Sequence, residues 1–492
     1  MTSGTDAITR PSGLGLALPR VSEAQFGALL FWVVLAAGAA WRVWFASVDD
    51  SIYWPDEVFQ TLEPAHGLIH GYGFRAWEFE DGARSWFFPG VLAGFLWTFE
   101  RLGLERPAEY VPAFKLLFCG LGLLTAGGCW TLARSLGASR SAAAAGAAVF
   151  ALAAPMIYFS PRALGETASA APIVWAFALA LRPGASRRAL GWAAVLLTAA
   201  VLIRLQNGLF CLGLLAILAG QRRWADVRFS FAALCLGALY FGALDWMTWG
   251  RPFHSALVYI QFNLIEGKSS LFGTAPWFYY LITYWTSMPL LSAIGGVLFL
   301  VGYRRAPGLS WTALIAFGSL WLIPHKEFRF VVPALPLMCV VAAMGLDRLG
   351  EGLRRWGGAP LLATGVVAAG LVSAAATPGL TFGDLGQVTR ARPADMPALD
   401  NDGAFNRLLM AAHDRPDLCG LYMAGAEMIW TGGYVHLHRD VPLSTARAPN
   451  GPMNYAVAEG DPRARPPALQ GRTVAVDGRQ ALIRLDAPTC GR

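Results

Sequence analysis

Apolar residues come in runs of about 20, separated by short polar turns, and runs of that length match the hydrocarbon core of a bilayer. The first run covers Gln25 to Ala46. Others lie near 111–133, 142–159, 166–182, 190–203, 207–220 and 228–247, with a last one near 358–376. The pattern predicts an α-helical polytopic membrane protein with about eleven crossings over 25–377. Arg204, Gln206 and Asn207 interrupt the 190–220 stretch. It therefore reads as two half-spans, a break tolerated at membrane depth where it lines a cavity. Beyond 378 the chain turns Pro- and Gly-rich, with strand-like runs at 420–424 and 472–476, which predicts a small α/β domain.

Basic residues orient the spans. Arg10 and Arg20 precede the first run, so 1–24 is expected in the cytoplasm and the chain emerges outside near Ser47. The basic turns 134–140, 182–188 and 221–228 then fall inside only if 86–104 lies in the interface or re-enters instead of crossing. On that reading 47–110 and 248–276 are external loops, and the 378–492 domain is external too.

Composition agrees. Of 492 residues, 55% are hydrophobic and 14% charged, against about 25% charged in soluble domains. The net charge of +7 sits largely in short Arg-bearing turns and carries topology information, not a nucleic-acid footprint. Five of seven cysteines lie in apolar runs, while Cys419 and Cys490 could pair if the tail meets an oxidising compartment. No metal-ligand spacing, P-loop or GxGxxG turn occurs, so neither metal nor cofactor is expected, and Asp49-Asp50 reads as polar flank. The Ala/Arg/Gly-rich composition and the lack of an Asn-x-Ser/Thr sequon favour a bacterial inner membrane over the endoplasmic reticulum.

The first external loop concentrates candidate chemistry. Asp56, Glu57, Glu63, His66, Glu78, Glu80, Asp81 and Arg84 alternate with Tyr53, Trp54, Phe59, Tyr72, Trp77 and Trp86. A surface loop could hold such charges, but the interleaved aromatics suit a sugar- or lipid-facing cleft. The topology gathers other polar groups on the same side: Arg162 and Glu166, Arg204 to Asn207, and His325-Lys326-Glu327 with Arg329. Arg162 and Glu166, four apart, suit a helix-end ion pair or a site. His325-Lys326 breaks the positive-inside rule, which favours function. Acids and bases converging at one membrane face fit a transferase, in which a carboxylate takes the acceptor proton and cations hold a phosphate leaving group. A transporter or flippase is the rival reading, and a scaffold subunit the third.

Tyr53-Trp54-Pro55-Asp56-Glu57-Val58-Phe59-Gln60, Glu63-Pro64-Ala65-His66, Gly71-Tyr72-Gly73, Trp77-Glu78 and Arg84-Ser85 resemble the first luminal loop of glycosyltransferase family 22, of the GT-C superfamily. Arg204-Leu205-Gln206-Asn207, Gln261-Phe262-Asn263, Phe272 to Tyr280 and His325-Lys326-Glu327-Phe328-Arg329-Phe330 match its later motifs in order. The tail stretches Gly420-Leu421-Tyr422-Met423 and Tyr434-Val435-His436 resemble its GPI mannosyltransferase 3 group. The resemblance covers about 26–440. It implies a GT-C fold and inverting, metal-independent transfer of mannose from a polyprenyl- or dolichyl-phosphate carrier, among membrane lipids, to a lipid-linked or GPI-like glycan. It casts Asp56 as general base, with Glu57 as second candidate. His325, Lys326 and Arg329, with Arg204, would hold the carrier phosphate, and Trp77 and Trp277 would shape the sugar site. Glu63, His66, Glu78, Arg84, Asn207 and Glu327 complete the substrate-binding set.

Overall fold

The computed structural model describes residues 22–445 and 451–490; most of the expected cytoplasmic stretch lies outside them. Helices form at every apolar run. Among the described residues, five are long and apolar enough by themselves to cross a membrane: Glu23–Val48, Pro107–Ser135, Trp224–Trp249, Phe328–Gly352 and Gly358–Ala375. Shorter apolar helices include Gly165–Leu181, Leu205–Gly220 and Pro289–Gly302. Several apolar runs are broken, which shortens their helices. The 142–159 run splits into Arg140–Ala151 and Ala154–Tyr158, and another breaks at Met288 between Tyr279–Ser287 and Pro289–Gly302. Arg187–Ile203 and Gly208–Gly220 flank Arg204, as the polar interruption predicted.

The Ala-rich helix Arg140–Ala151 is buried on nearly every side. Its small side chains let helices Glu23–Val48, Pro107–Ser135 and Leu335–Gly352 pack around it. Ser139 caps its start, and Asp347 accepts from the Ser139 amide and hydroxyl. At the other end Arg42, fully buried in the first span, donates to the Ala151 carbonyl and to Ser160 Oγ. A cation there satisfies carbonyls left free by the helix end. Helices Pro289–Gly302 and Leu335–Gly352 touch backbone to backbone, since a Cβ on Gly345 would lie 1.9 Å from the Leu298 carbonyl oxygen.

Helix Phe87–Arg101 buries Phe88, Leu92 and Leu96 and exposes Val91, Phe95 and Trp97. Its 15 residues reach about 22 Å, short of the roughly 30 Å hydrocarbon core. In the second loop, Asp245 accepts from the Ser255 amide and hydroxyl, which pins the short helix His254–Ile260 against the end of Trp224–Trp249.

The tail folds into one sheet of β1 (Leu421–Met423), β2 (Leu443–Ser444), β3 (Tyr455–Glu459), β4 (Gly471–Asp477) and β5 (Gln480–Leu485), ordered β2-β1-β3-β5-β4. β1 pairs in parallel with both neighbours, and β5 pairs antiparallel with β3 and β4. Helix Gly403–His413 packs on the sheet, and a Cys419–Cys490 disulfide ties the start of β1 to the chain beyond β5.

This domain is fastened to the first loop through buried charge. Asp49, expected to be polar flank, is 2% exposed. It pairs with Arg162 at 2.8 Å and accepts from the Asp400 amide at 2.7 Å. Asp50 pairs with Lys115 and Arg407. Arg392 donates to the Ile52 and Tyr53 carbonyls and stacks on Trp430. Truncating Arg162 to Ala would leave Asp49 and Glu57 buried without their cation, a loss of about 3–5 kcal/mol. Thermal unfolding of Arg162→Ala in detergent is expected to show a markedly lowered Tm, or no folded monomer.

Candidate active site

The chain from His325 runs through an extended Glu327 into a tight helical turn over Phe328–Ala334, and it is held on all sides. Phe328 stacks on Tyr284 at 4.2 Å and on Phe159 at 5.6 Å, which fixes the backbone on either side. Glu327 is extended and Arg329 is the second residue of the tight helical turn, and both side chains are buried in the protein. Arg329 donates to Asp56 at 2.7 Å and to Glu327 at 2.8 Å, and lies 3.2 Å from Glu166. Glu166 also pairs with Arg204 at 2.8 Å. Burial works to raise the Glu327 carboxyl, but Arg329 and His325 outweigh it and hold it down at about 2. A cluster so paired keeps its charges inside the protein.

Asp56 is the most open of the three acids on Arg329. Its side chain is 19% exposed, against 9% for Glu327 and 1% for Glu166. It opens into a cavity of about 670 Å³ between the two large loops and the tail, a size that suits a small ligand. Trp77 stacks on Phe262 of the second loop at 4.6 Å, closing one wall. Trp430 of the tail meets Trp54 edge-on at 5.4 Å at another. Arg84, Arg204 and His325 line the same space. Arg84 has no carboxylate at salt-bridge distance among the described residues, which leaves its charge available. Glu78 accepts from Gln60 at 2.6 Å. Burial pushes its carboxyl up to about 7, with the Asp56 charge adding to the rise and Arg84 opposing it.

Of the residues singled out from sequence, Asp56, Trp77, Glu78, Arg84, Arg204, His325 and Glu327 line this cavity, with Arg329 directly behind Asp56. The others are placed elsewhere. Glu57 turns away to Arg162 and the Tyr53 amide. Burial raises its carboxyl although Arg162 opposes the rise, so it acts as an internal brace. Arg162 and Glu166 do not pair with each other; each serves a different cluster. Asn207 donates to the Ala200 carbonyl at 2.9 Å, filling a bond freed where the helix breaks. Lys326 turns to the Ile323 and Ala275 carbonyls. Trp277 is 67% exposed on the outside.

Glu63 and His66 are turned toward the tail. Glu63 accepts from the amides of Phe74, Tyr434 and Val435 at 2.8, 3.1 and 2.9 Å. Gly433 has φ +57, and a Cβ there would meet Glu63 Oε2 at 2.8 Å. Several lining residues had no part in the sequence-derived set: Arg75, Tyr259 and, from the tail, Ile429 and Trp430. Interleaved aromatics were a signal for the loop positions. Nothing local marked the tail pair.

These features define a class, the polytopic α-helical membrane proteins of GT-C fold. ArnT from Cupriavidus metallidurans matches over 93% of this chain and 98% of its own, with a TM-score of 0.58 at 17% identity. The same protein bound to undecaprenyl phosphate matches with a TM-score of 0.57 at 15% identity, over 93% and 97%. Residues 30–382 match the family model of the Alg9-like mannosyltransferases, and the chain belongs to that family. GPI mannosyltransferase 3 of Yarrowia lipolytica is 30% identical over 343 residues, 66% of this chain and 64% of that protein's length. Alpha-1,2-mannosyltransferase alg9 of Schizosaccharomyces pombe is 27% identical over 345 residues, 62% of this chain and 56% of its own. Neither relative is bacterial, so the membrane expected from composition gains no support from them.

The placement of Glu63 separates a brace from a ligand contact. Glu63→Gln keeps the shape and loses one strong acceptor. It is expected to speed proteolysis between 378 and 402 several-fold while leaving the KM for either substrate within about twofold, as a buried brace away from the ligand should.

Proposed function

We propose that the chain transfers mannose from a polyprenyl- or dolichyl-phosphate carrier to a hydroxyl of a lipid-linked or GPI-like glycan, with inversion at the sugar carbon. The observation that carries the reading is Asp56, oriented by Arg329 and open to a cavity walled by Arg84, Arg204 and His325. The family's mannosyltransferase relatives support it, as does the undecaprenyl phosphate held by a neighbour of the same fold.

In the transfer, the acceptor oxygen forms a bond to the sugar C1 from the face opposite the phosphate. The C1–O bond to the phosphate breaks, and its electron pair leaves with the phosphate oxygen. The acceptor proton passes to the free oxygen of Asp56 as the nucleophile attacks. Arg329 bonds the other oxygen, so the carboxylate cannot rotate away; three acids already compensate its charge, which makes it a positioning residue. Arg84, Arg204 and His325 take up the charge on the leaving phosphate, Arg84 first because no carboxylate among the described residues lies at salt-bridge distance from it. Trp77, stacked on Phe262, offers an apolar surface for the sugar ring.

Asp56→Asn keeps the bond from Arg329 and removes the base. Transfer from polyprenyl-phosphate-mannose by purified protein is expected to fall by at least about 100-fold with folding intact. Transfer at the wild-type rate would move the base elsewhere, and transfer from GDP-mannose in place of the lipid donor would overturn the donor class.

Glu78 adds a pH signature. A carboxyl held near 7 is neutral below that pH and ionised above it, and the ionised form accepts hydrogen bonds from sugar hydroxyls. The rate is expected to rise with pH through about 7, and Glu78→Gln, which cannot ionise, to flatten the profile in that range.

A further inference from the structure

On the side of helix Glu63–His70 facing the tail, three imidazoles from distant parts of the chain converge. His66 and His70 are four residues apart and share one helix face. His438 ends the short helix Gly433–Leu437 of the C-terminal domain. One ligating nitrogen of each ring lies within 4.8 Å of the other two, and His66 Nε2 stands 2.9 Å from His438 Nδ1. A tetrahedral ion with bonds of about 2.0–2.1 Å sets its nitrogens roughly 3.3 Å apart, so small ring rotations bring all three into place. Glu100, near the end of helix Phe87–Arg101, has Oε1 2.9 Å from His70 Nε2, a contact that orients the His70 ring.

The surroundings suit a metal better than a chain of polar contacts. His66 is fully buried, and the rings of Tyr72 and Tyr110 stand 5.1 and 5.6 Å from His66 and His438. His438 holds φ +46, a left-handed backbone uncommon outside glycine, in a position that keeps its ring against the other two.

We propose that His66, His70 and His438 form a binding site for a zinc-class divalent transition metal. Three imidazoles are borderline donors that select such an ion over magnesium or calcium. None of the three histidines lines the cavity at Asp56. The ion joins the first loop to the tail, so its role is to fasten the domain that carries Trp430.

The test uses the full chain, purified in detergent through a histidine-free tag and stripped with EDTA. Zinc and cobalt are added back, and bound metal is measured by elemental analysis and by the tetrahedral cobalt d–d bands. Wild type is expected to take up close to one equivalent of zinc, to develop those bands and to gain Tm on loading. His438→Ala and His70→Ala are expected to lose at least about tenfold in affinity and the gain in Tm. His70 is 21% exposed, so its variant serves where loss of a buried ring unfolds the protein. Substoichiometric zinc in wild type, octahedral cobalt, or equal uptake by wild type and His70→Ala would overturn the site, the last marking adventitious binding only.

Discussion

One guanidinium holds the functional face together. Arg329 binds acids from three separate parts of the chain: Asp56 from the first loop, Glu166 from the helix that follows Arg162, and Glu327 two residues away. A fully buried arginine is costly unless its charge is matched and its donors are satisfied. Once it is so matched, each acid it holds is fixed in turn. Asp56 is thereby kept at the edge of the cavity with one oxygen committed and one free. A loop without such a partner could not fix a carboxylate that way by itself.

A second buried arginine performs the same service for the domain interface. Arg162 takes Asp49 and Glu57, while Asp49 also accepts from the tail backbone at Asp400. Two adjacent acids, Asp56 and Glu57, thus point to different arginines. Asp56 goes to the cluster that faces the ligand space and Glu57 to the one that braces the scaffold. The turn of about 100° between consecutive side chains of a helix separates the two, and the arginine each one meets sets its surroundings.

The C-terminal domain also takes part in the site. Glu63 caps its helix Gly433–Leu437, Arg392 reaches back to the first loop, and Trp430 forms part of the cavity rim beside Trp54. A domain that supplies a wall must be held at a fixed distance. The buried acids, the capped helix and the histidine cluster all lie along that seam. Apolar packing adds to the hold through Val435, which joins the cluster of Val58, Phe59 and Phe114.

Hydrophobic run length and polar interruptions determined, without any coordinates, a helical membrane module with a break at Arg204 and a mixed α/β tail. Those are local properties, set by the period and length of apolar segments. The motifs at Asp56 and His325 to Arg329, singled out because charges beside a bilayer are costly, meet at one cavity. Which charge does what was decided only in three dimensions. Glu63, His66 and Glu57 carry the same residue types as the cavity groups and sit within ten positions of them. Their partners, Val435, His438 and Arg162, lie 372, 372 and 105 residues away. Hydrogen-bonding partners across such separations leave no local pattern, so a brace and a base look alike until the chain is folded.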